Sequence, residues 1–258
     1  MTYQHAAATR RPRRWLGPVV ILGVLVVLVV AAYFVAERLA RDAAADLVSA
    51  PIKKALGSTQ PVAVDFGAGS FLLQAASGKL DSVSVATDDV PLGPATGDVA
   101  LQATGVPLDT EKSVSALSAT VSIDETGVQA LVPAALAGGS LSFAGDALVV
   151  TGSTTMFGQT APVEVTLQPA VAGGSVTFEV VAMTVGGQDV SVDEVRAGRY
   201  GTDAATLATA PSVCVAQYLP AALGLNTAKI ANGHLVIEFA GRNVALSGAS
   251  FSTKGTCA

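Results

Sequence analysis

The sequence predicts an α+β domain of antiparallel strands and a few apolar helices, preceded by an N-terminal transmembrane helix. Three observations favour this fold class. An uncharged, apolar run of 20 residues extends from Leu16 to Val35. The chain that follows repeatedly alternates apolar and polar residues with period two, as half-buried strands do. Short apolar segments that start at a capping residue and end before a glycine interrupt these strands, as helices do.

The apolar run predicts a membrane anchor. A helix of about 20 residues is needed to cross about 30 Å of hydrocarbon. Four arginines lie in residues 1–15, and mixed charges follow the run from Glu37 onward. Because cytoplasmic flanks carry excess positive charge, we expect residues 1–15 in the cytoplasm, 16–35 in the plasma membrane and the rest outside. A cleaved signal peptide, cut after residues 30–32, is the alternative and would give a secreted or periplasmic protein.

The remaining elements follow in order along the chain. Residues 36–57 are rich in alanine with charges at helical spacing, so they predict a juxtamembrane helix that Gly57 ends. Residues 58–258 predict one extracytoplasmic domain. Its strands are expected at residues 61–66, 80–87, 99–106, 114–123, 141–143, 147–154, 162–168, 175–185, 234–239 and 243–246. Its helices are expected at residues 70–77, 124–136 and 212–223, with Ser70, Asp124 and Ser212 as N-caps.

Charge excludes one class of partner. The whole chain carries −5 and its first 15 residues carry +4, so the remainder carries −9. A body of that sign repels phosphate backbones, and no basic patch with interleaved aromatic residues occurs in the sequence. We therefore expect no nucleic-acid partner.

Cys214 and Cys257 are the only cysteines. In an exported chain, an even number of cysteines predicts a disulfide. This one would close a loop of about 43 residues and stabilise the domain by about 4 kcal/mol in the chain-entropy account. Two separate thiols are the alternative. Two cysteines without supporting histidines do not make a zinc site, so no metal is expected.

No catalytic site is recognisable, and we expect neither an enzyme nor a cofactor. His5 lies in the N-terminal tail and His234 begins a predicted strand. The nucleophile elbow, the phosphate-binding loop and the zinc-protease motif are missing from the sequence. Neighbouring carboxylates on a strand point to opposite faces, which argues against acid–base chemistry. Such pairs occur at residues 88–89, 124–125 and 193–194. A hydrolase with an unrecognised site is the remaining enzymatic alternative.

The stretch from Val62 to Val85 resembles a known family. It contains V-x-V-D-F-G, F-L-L-Q and G-K-L-D-S-V-S-V, with Leu56-Gly57 before it and Asp88-Asp89-Val90 after it. This pattern is similar to the actinobacterial LmeA-like family of phospholipid-binding envelope proteins, which is linked to mannan elongation in lipomannan and lipoarabinomannan. The resemblance implies a non-catalytic protein with a fold similar to tubular lipid-binding domains. In such a fold, a curved antiparallel sheet wraps on helices around an elongated apolar cavity.

The resemblance also implies a binding site. The ligand is expected to be a phospholipid or a lipid-linked glycan precursor, held in an apolar cavity. Lys79 is expected to pair with a lipid phosphate at the mouth. The expected lining consists of Phe66, Phe71, Leu72, Val83, Val85, Val121, Leu131 and Phe143. The alternative is a solid-core module that scaffolds envelope-building enzymes, with envelope proteins as its partners.

Overall fold

The computed structural model describes residues 16–92, 95–109, 111–131, 139–156, 159–200, 212–245 and 253–257. The helices are α1 (Leu16–Leu56), α2 (Phe71–Ala76), α3 (Glu125–Leu131) and α4 (Val192–Arg196), and a 3₁₀ turn spans Ala216–Tyr218. The strands are β1 (Ala63–Asp65), β2 (Lys79–Leu92), β3 (Ala95–Pro107), β4 (Ser113–Asp124), β5 (Ser140–Ala144), β6 (Ala147–Met156), β7 (Gln159–Ala172), β8 (Ser175–Val185), β9 (Gln188–Asp189), β10 (Ser212–Cys214), β11 (Gly224–Ala231) and β12 (His234–Ala245). The predicted cytoplasmic tail, residues 1–15, and the predicted helix beyond residue 131 lie outside the described residues.

The described strands form two antiparallel sheets, which confirms the predicted α+β class. The first sheet has the strand order β1-β2-β3-β4-β12-β11, and the second has the order β10-β8-β7-β6-β5 with β9 beside β8. Most strands pair with a neighbour along the chain, whereas β12 returns to lie beside β4 and β10 returns to lie beside β8. The fold therefore differs from the expected one in using two sheets where one was predicted.

The two sheets share one apolar core, called the main core here. It takes Ala119 and Ile237 from the first sheet, Val163 and Phe178 from the second, and Val128 from α3. Val163 is 1% exposed, so the face of β7 that it occupies is closed. Burying such side chains is the dominant favourable contribution to folding.

The inner face of the first sheet changes phase near one end. Residues on one face of a strand are separated by an even number of positions. Yet the buried pairs Leu80 and Val85 on β2, and Val114 and Ala119 on β4, are each separated by five. At the level between the two residues of each pair, the neighbouring strands carry two left-handed residues. These are Gly105 on β3, with φ 62°, and Asn243 on β12, with φ 51°. The left-handed conformation at these two residues marks a break, called the phase break here, beyond which the opposite side of each strand is buried.

Helix α1 is a continuous helix of 41 residues that packs against β1 and α2. Its large apolar side chains between Leu25 and Val35 are exposed. Among the residues that were described, no helix is both long and apolar enough to cross a membrane. The anchor at residues 16–35 stays a prediction.

Two predicted helices begin as expected. The hydroxyl of Ser70 accepts the N–H of Leu73 at 3.2 Å, and α2 follows it. A carboxylate oxygen of Asp124 accepts the N–H of Gly127 at 2.7 Å, and α3 follows it. Both residues supply the side-chain acceptor that the free N–H groups at a helix start require.

The helix predicted at residues 212–223 is wrong. This segment forms β10 and the 3₁₀ turn, and Val213 pairs with Val176 of β8. Pro220 lies within the predicted helix, where a proline removes a backbone hydrogen bond and clashes with the preceding turn. The carbonyl of Gly174 accepts the N–H groups of both Val215 and Ala216, which replaces the helical pairing.

The predicted disulfide between Cys214 and Cys257 is confirmed. It fastens the segment 253–257 to the last residue of β10. Two backbone hydrogen bonds accompany it, from Gly255 N–H to the carbonyl of Leu219 at 3.0 Å and from Ala221 N–H to that of Thr253 at 2.8 Å. The end of the chain is thus tied to the edge of the second sheet.

Candidate functional site

The inner face of the first sheet carries apolar side chains in parallel rows across the strands. Residues directly opposite each other in an antiparallel pair place their side chains on the same face. One row consists of Val64, Val85, Leu101, Ala119 and Phe239. The next row toward the phase break consists of Val83, Ala103, Leu117 and Gly241.

These two rows differ in burial. In the first, Val85, Ala119 and Phe239 are buried, and Val64 and Leu101 are half-buried. In the second, Val83, Ala103 and Leu117 are all half-buried. We refer to these three residues as the open row. They are apolar and lie on the face that packs in the main core, but the core does not cover them completely.

Other parts of the chain approach the open row at both of its ends. Phe66 follows β1 at the position that continues the register opposite Val83. Its ring packs against that of Phe71 with 4.8 Å between the centroids. At the other end, a Cβ on Gly241 would lie 2.4 Å from the carbonyl oxygen of Ala222, so the segment that leads into β11 closely approaches β12 there. Other parts of the chain therefore bound the open row at both ends, and we refer to this part of the inner face as the trough.

Five of the predicted lining residues lie together at this trough. Phe66 and Val85 are buried, whereas Phe71, Leu72 and Val83 are half-buried. Lys79 begins β2 beside them, is exposed, and its Cε lies 3.1 Å from the Cβ position of Gly105.

The other predicted lining residues lie elsewhere. Val121 and Phe143 are half-buried and pack against the main core, on β4 and β5. Leu131 ends α3, and its side chain lies outside the described part. Nothing in the arrangement of these residues tests their contact with a lipid, so the site stays a prediction.

Three residues that complete the rows were not predicted from the sequence, namely Leu101, Ala103 and Leu117. Their signal was present, because β3 and β4 alternate like β2. To identify these residues from the alternation, one also needs the register between the strands, which places Ala103 opposite both Val83 and Leu117.

A cluster on α1 fixes the position of α2. The carboxylate of Glu37 accepts the N–H groups of Phe71 and Leu72 and the hydroxyl of Ser70. Arg41 donates to Glu37 at 2.9 Å and to the carbonyls of Gly67 and Gly69. The hydroxyl of Tyr33 donates to Ser70. We refer to Tyr33, Glu37 and Arg41 as the α1 clamp.

These contacts set the ionisation of Glu37. Desolvation raises its pKa, but the opposing contacts are larger in sum. Hydrogen bonds from the N–H of Leu72, the guanidinium of Arg41, the N–H of Phe71 and the hydroxyl of Ser70 lower the pKa to about 2. Hydrogen bonding to the charged form favours that form, so Glu37 is ionised at neutral pH.

The adjacent carboxylate pairs have structural roles. Asp124 caps α3, and Glu125 accepts the N–H of Phe143 at 3.0 Å. Asp89 accepts a hydrogen bond from Gln60, and Glu194 pairs with Arg199 at 2.7 Å. Within the described ranges, no three metal-ligating side chains are grouped to hold an ion.

A shallow depression lies on the second sheet, between β6, β7 and β8. Its lining includes Thr151, Glu164 and Thr184, and none of the predicted lipid-binding residues. It is unrelated to the trough on the first sheet.

The fold and the trough define a class, namely an α+β domain that offers a partly uncovered apolar surface to a ligand. The comparison with protein families specifies that class. The profile of the LmeA-like phospholipid-binding family matches residues 35–240, more than half of the 258 residues. The chain belongs to this family, which confirms the resemblance. Neither the curated proteins nor the solved structures give a match.

Proposed function

We propose that the protein is a non-catalytic phospholipid-binding protein held at the outer face of the plasma membrane. Residues 16–35 anchor it, residues 1–15 lie in the cytoplasm, and the domain lies outside. Membership of a phospholipid-binding family supports the ligand class. The single observation that supports the binding site is the open row, where Val83, Ala103 and Leu117 are inward-facing, apolar and incompletely covered.

An acyl chain would complete the burial of the open row. Removing apolar surface from water is worth about 25 cal/mol per Å², or about 0.8 kcal/mol for each methylene buried. The rows deeper in the sheet are covered more fully, so a chain lying over Ala103 would extend the main core toward the phase break. Lys79, exposed at the start of β2, would pair with a phosphate as the chain enters.

The anchor is supported by the exposure of α1. Six consecutive residues from Leu25 to Val30 are exposed, and successive helical residues point in directions about 100° apart. The apolar surface therefore surrounds the helix, and a helix apolar on all sides is stable when buried or in a bilayer. The arginines before Leu16 support the orientation. The alternative is a secreted protein released by signal cleavage. Sequencing of the mature N-terminus distinguishes it from the anchored protein.

The experiment that tests the binding site uses the full chain in vesicles containing a phospholipid with a photoreactive acyl chain. Cross-linked peptides are mapped by mass spectrometry. We expect cross-links on β2, β3 and β4 at the open row, in addition to those on α1. Ala103→Phe fills the trough and should remove the sheet cross-links while leaving those on α1.

The matched control is Ala100→Phe on the same strand. Ala100 is exposed, and it lies opposite Ala86 and Thr120 on the other face. This variant should cross-link like the wild type. If Ala100→Phe and Ala103→Phe lose the sheet cross-links equally, or neither loses them, the open row is not the binding site.

A solid-core scaffold is the second candidate, and one observation favours it. Phe66 and Val85, both predicted to line a cavity, are buried by the domain itself, with only 4% and 7% of their surface exposed. Cross-links confined to residues 16–35 in the wild type would support this candidate. A part in lipomannan assembly, which family resemblance implies, is a further proposal that rests on the family alone.

A further inference from the structure

Helix α2 leaves part of its apolar surface uncovered. Its sequence is FLLQAA, and none of its residues is fully buried, although Phe71 and Leu72 are half-buried. Leu73 is 68% exposed. Leu108, 49% exposed, lies nearby because its N–H donates to the carbonyl of Gly78 at 3.0 Å, two residues after the end of α2. We refer to α2 and Leu108 as the apolar tip.

The α1 clamp holds this tip at one level along α1. Tyr33, near the end of the apolar run, donates its hydroxyl to Ser70 directly before α2. Glu37, one turn further, accepts the first N–H groups of α2. The tip therefore lies where the apolar part of α1 ends and its charged part begins. For a helix that crosses a bilayer, this is the level of the headgroups.

The rest of the domain extends away from that level. Ser58, just beyond the end of α1, lies 3.3 Å from the hydroxyl of Thr87 on β2. Residues 37–57 of a helix rise about 30 Å at 1.5 Å each, and β2 covers a similar length between Lys79 and Thr87. Thus α1 and β2 extend from the tip toward the same end of the domain, and β1 contacts both of them. The open row lies near the tip end of β2, because Val83 is four residues from its start.

We propose that the apolar tip dips into the outer leaflet beside the anchor and is where phospholipid enters the trough. The inference rests on the proposed anchor and deepens the proposed function by locating the entry. Apolar side chains at a bilayer surface are buried among headgroups and acyl chains, so insertion would remove Leu73 and Leu108 from water. Phe71 and Leu72 then lie between the leaflet and the open row.

The test places an environment-sensitive fluorophore on the full chain in phosphatidylcholine and phosphatidylglycerol vesicles. Leu73→Cys carries the label at the tip, and Val181→Cys carries it on β8, where Val181 is 48% exposed. We expect a blue-shifted emission at position 73 that lipids with a spin label near the headgroup quench. The label at position 181 should behave as in water.

Three outcomes would overturn the inference. The first is a label at position 73 that is as accessible to water as the label at position 181. The second is a blue-shifted emission that spin-labelled lipid does not quench, which assigns the tip to a second copy or another protein. The third is a labelled protein that does not float with vesicles, which overturns the anchor as well.

The inference can fail while the proposed function holds, because the two have separate readouts. Cross-links at the open row together with a water-exposed position 73 would retain lipid binding and reject entry through the tip. Leu73→Ser should reduce the rate of cross-linking at the open row several-fold without changing thermal unfolding, since Leu73 is exposed.

Discussion

Glu37 is one residue on which three parts of the chain depend. Its carboxylate lies between Arg41 on α1, the hydroxyl of Ser70 and the first backbone groups of α2. The free N–H groups at a helix start need acceptors, and here a residue distant in sequence supplies them. The sequence offered only a Glu–Arg pair at helical spacing, which commonly forms on any exposed helix face. The role of Glu37 could not be predicted without the fold.

Replacing Glu37 should loosen α2. Glu37→Gln keeps the size of the side chain but removes the charge and turns one acceptor into a donor that faces backbone N–H groups. We expect thermal unfolding at a lower temperature than in the wild type. Asp42→Asn, an exposed carboxylate on the same helix, is the control and should unfold like the wild type. Equal effects of both changes would show that overall charge, and not the α1 clamp, matters.

The stabilising effect of Glu37 should depend on pH in a defined window. Its pKa is lowered from 4.5 to about 2 in the folded chain. A lowered pKa stabilises the fold above the unfolded value, and the stabilisation is lost as the pH falls through the folded value. The difference in unfolding temperature between the wild type and Glu37→Gln should stay constant above about pH 5 and shrink between pH 4.5 and 2. A difference that grows on acidification would contradict this assignment.

At the scale of elements, the phase break decides which side chains the first sheet buries. Gly105 has φ 62°, and a Cβ there would lie 2.3 Å from the hydroxyl oxygen of Ser115 on β4. Its conformation and its close contact with β4 therefore both require glycine. Along the strands, Leu80 and Val114 are buried on one side of the break, and the open row lies on its other side.

Substitution of Gly105 tests this requirement. Gly105→Ala should destabilise the protein by about 2 kcal/mol or more, because a left-handed alanine costs about 1 kcal/mol and the contact with Ser115 adds to it. Gly186→Ala is matched in conformation, with φ 64° and nothing within 4 Å of the added Cβ. It should cost only the conformational part, about 1 kcal/mol. Denaturant unfolding of the two variants checks the difference, and equal costs would mean that Ser115 moves aside freely.

The elements could be predicted from the sequence where their signal is local. The alternation that predicted a strand at residues 114–123 matches β4, and Ser70 and Asp124 begin their helices as capping residues do. The helix predicted at residues 212–223 was wrong because its apolar spacing is overridden by pairing with β8, by Pro220 and by the disulfide. Strand β11 was missed, since its exposed residues obscure the alternation that Ala228 and Ile230 give to its inner face.

At the scale of the molecule, the site was predictable only in part. Phe66, Phe71 and Val83 are close in sequence and meet in space, so a local pattern could identify them together. Leu117 reaches the same row through pairing between β3 and β4, which no local pattern specifies. Val121 and Phe143 lie against the main core because the second sheet covers that end of the first, and the sequence did not indicate two sheets.

The disulfide should contribute measurably to the stability of the whole domain. It closes a loop of 43 residues, for which the chain-entropy account gives about 4 kcal/mol. We expect the double variant Cys214→Ser, Cys257→Ser to lose up to about 4 kcal/mol in the free energy of unfolding. Reducing agent should lower the stability of the wild type toward that of the variant and leave the variant unchanged. A wild type insensitive to reduction would contradict this role.

The strands at the borders of the sheets have a consequence for the behaviour of the protein at high concentration. An uncovered border strand is a template for pairing with another chain and so for aggregation. Here β1 is three residues long and lies beside α1, β11 packs against β7, and β10 is tied down by the disulfide. At β5, Glu125 already accepts the N–H of Phe143. The 14-residue strand β7 lies inside its sheet, and β1 protects β2 at Ser84, Val85 and Ala86. At these positions, copies of the protein can meet without joining their sheets.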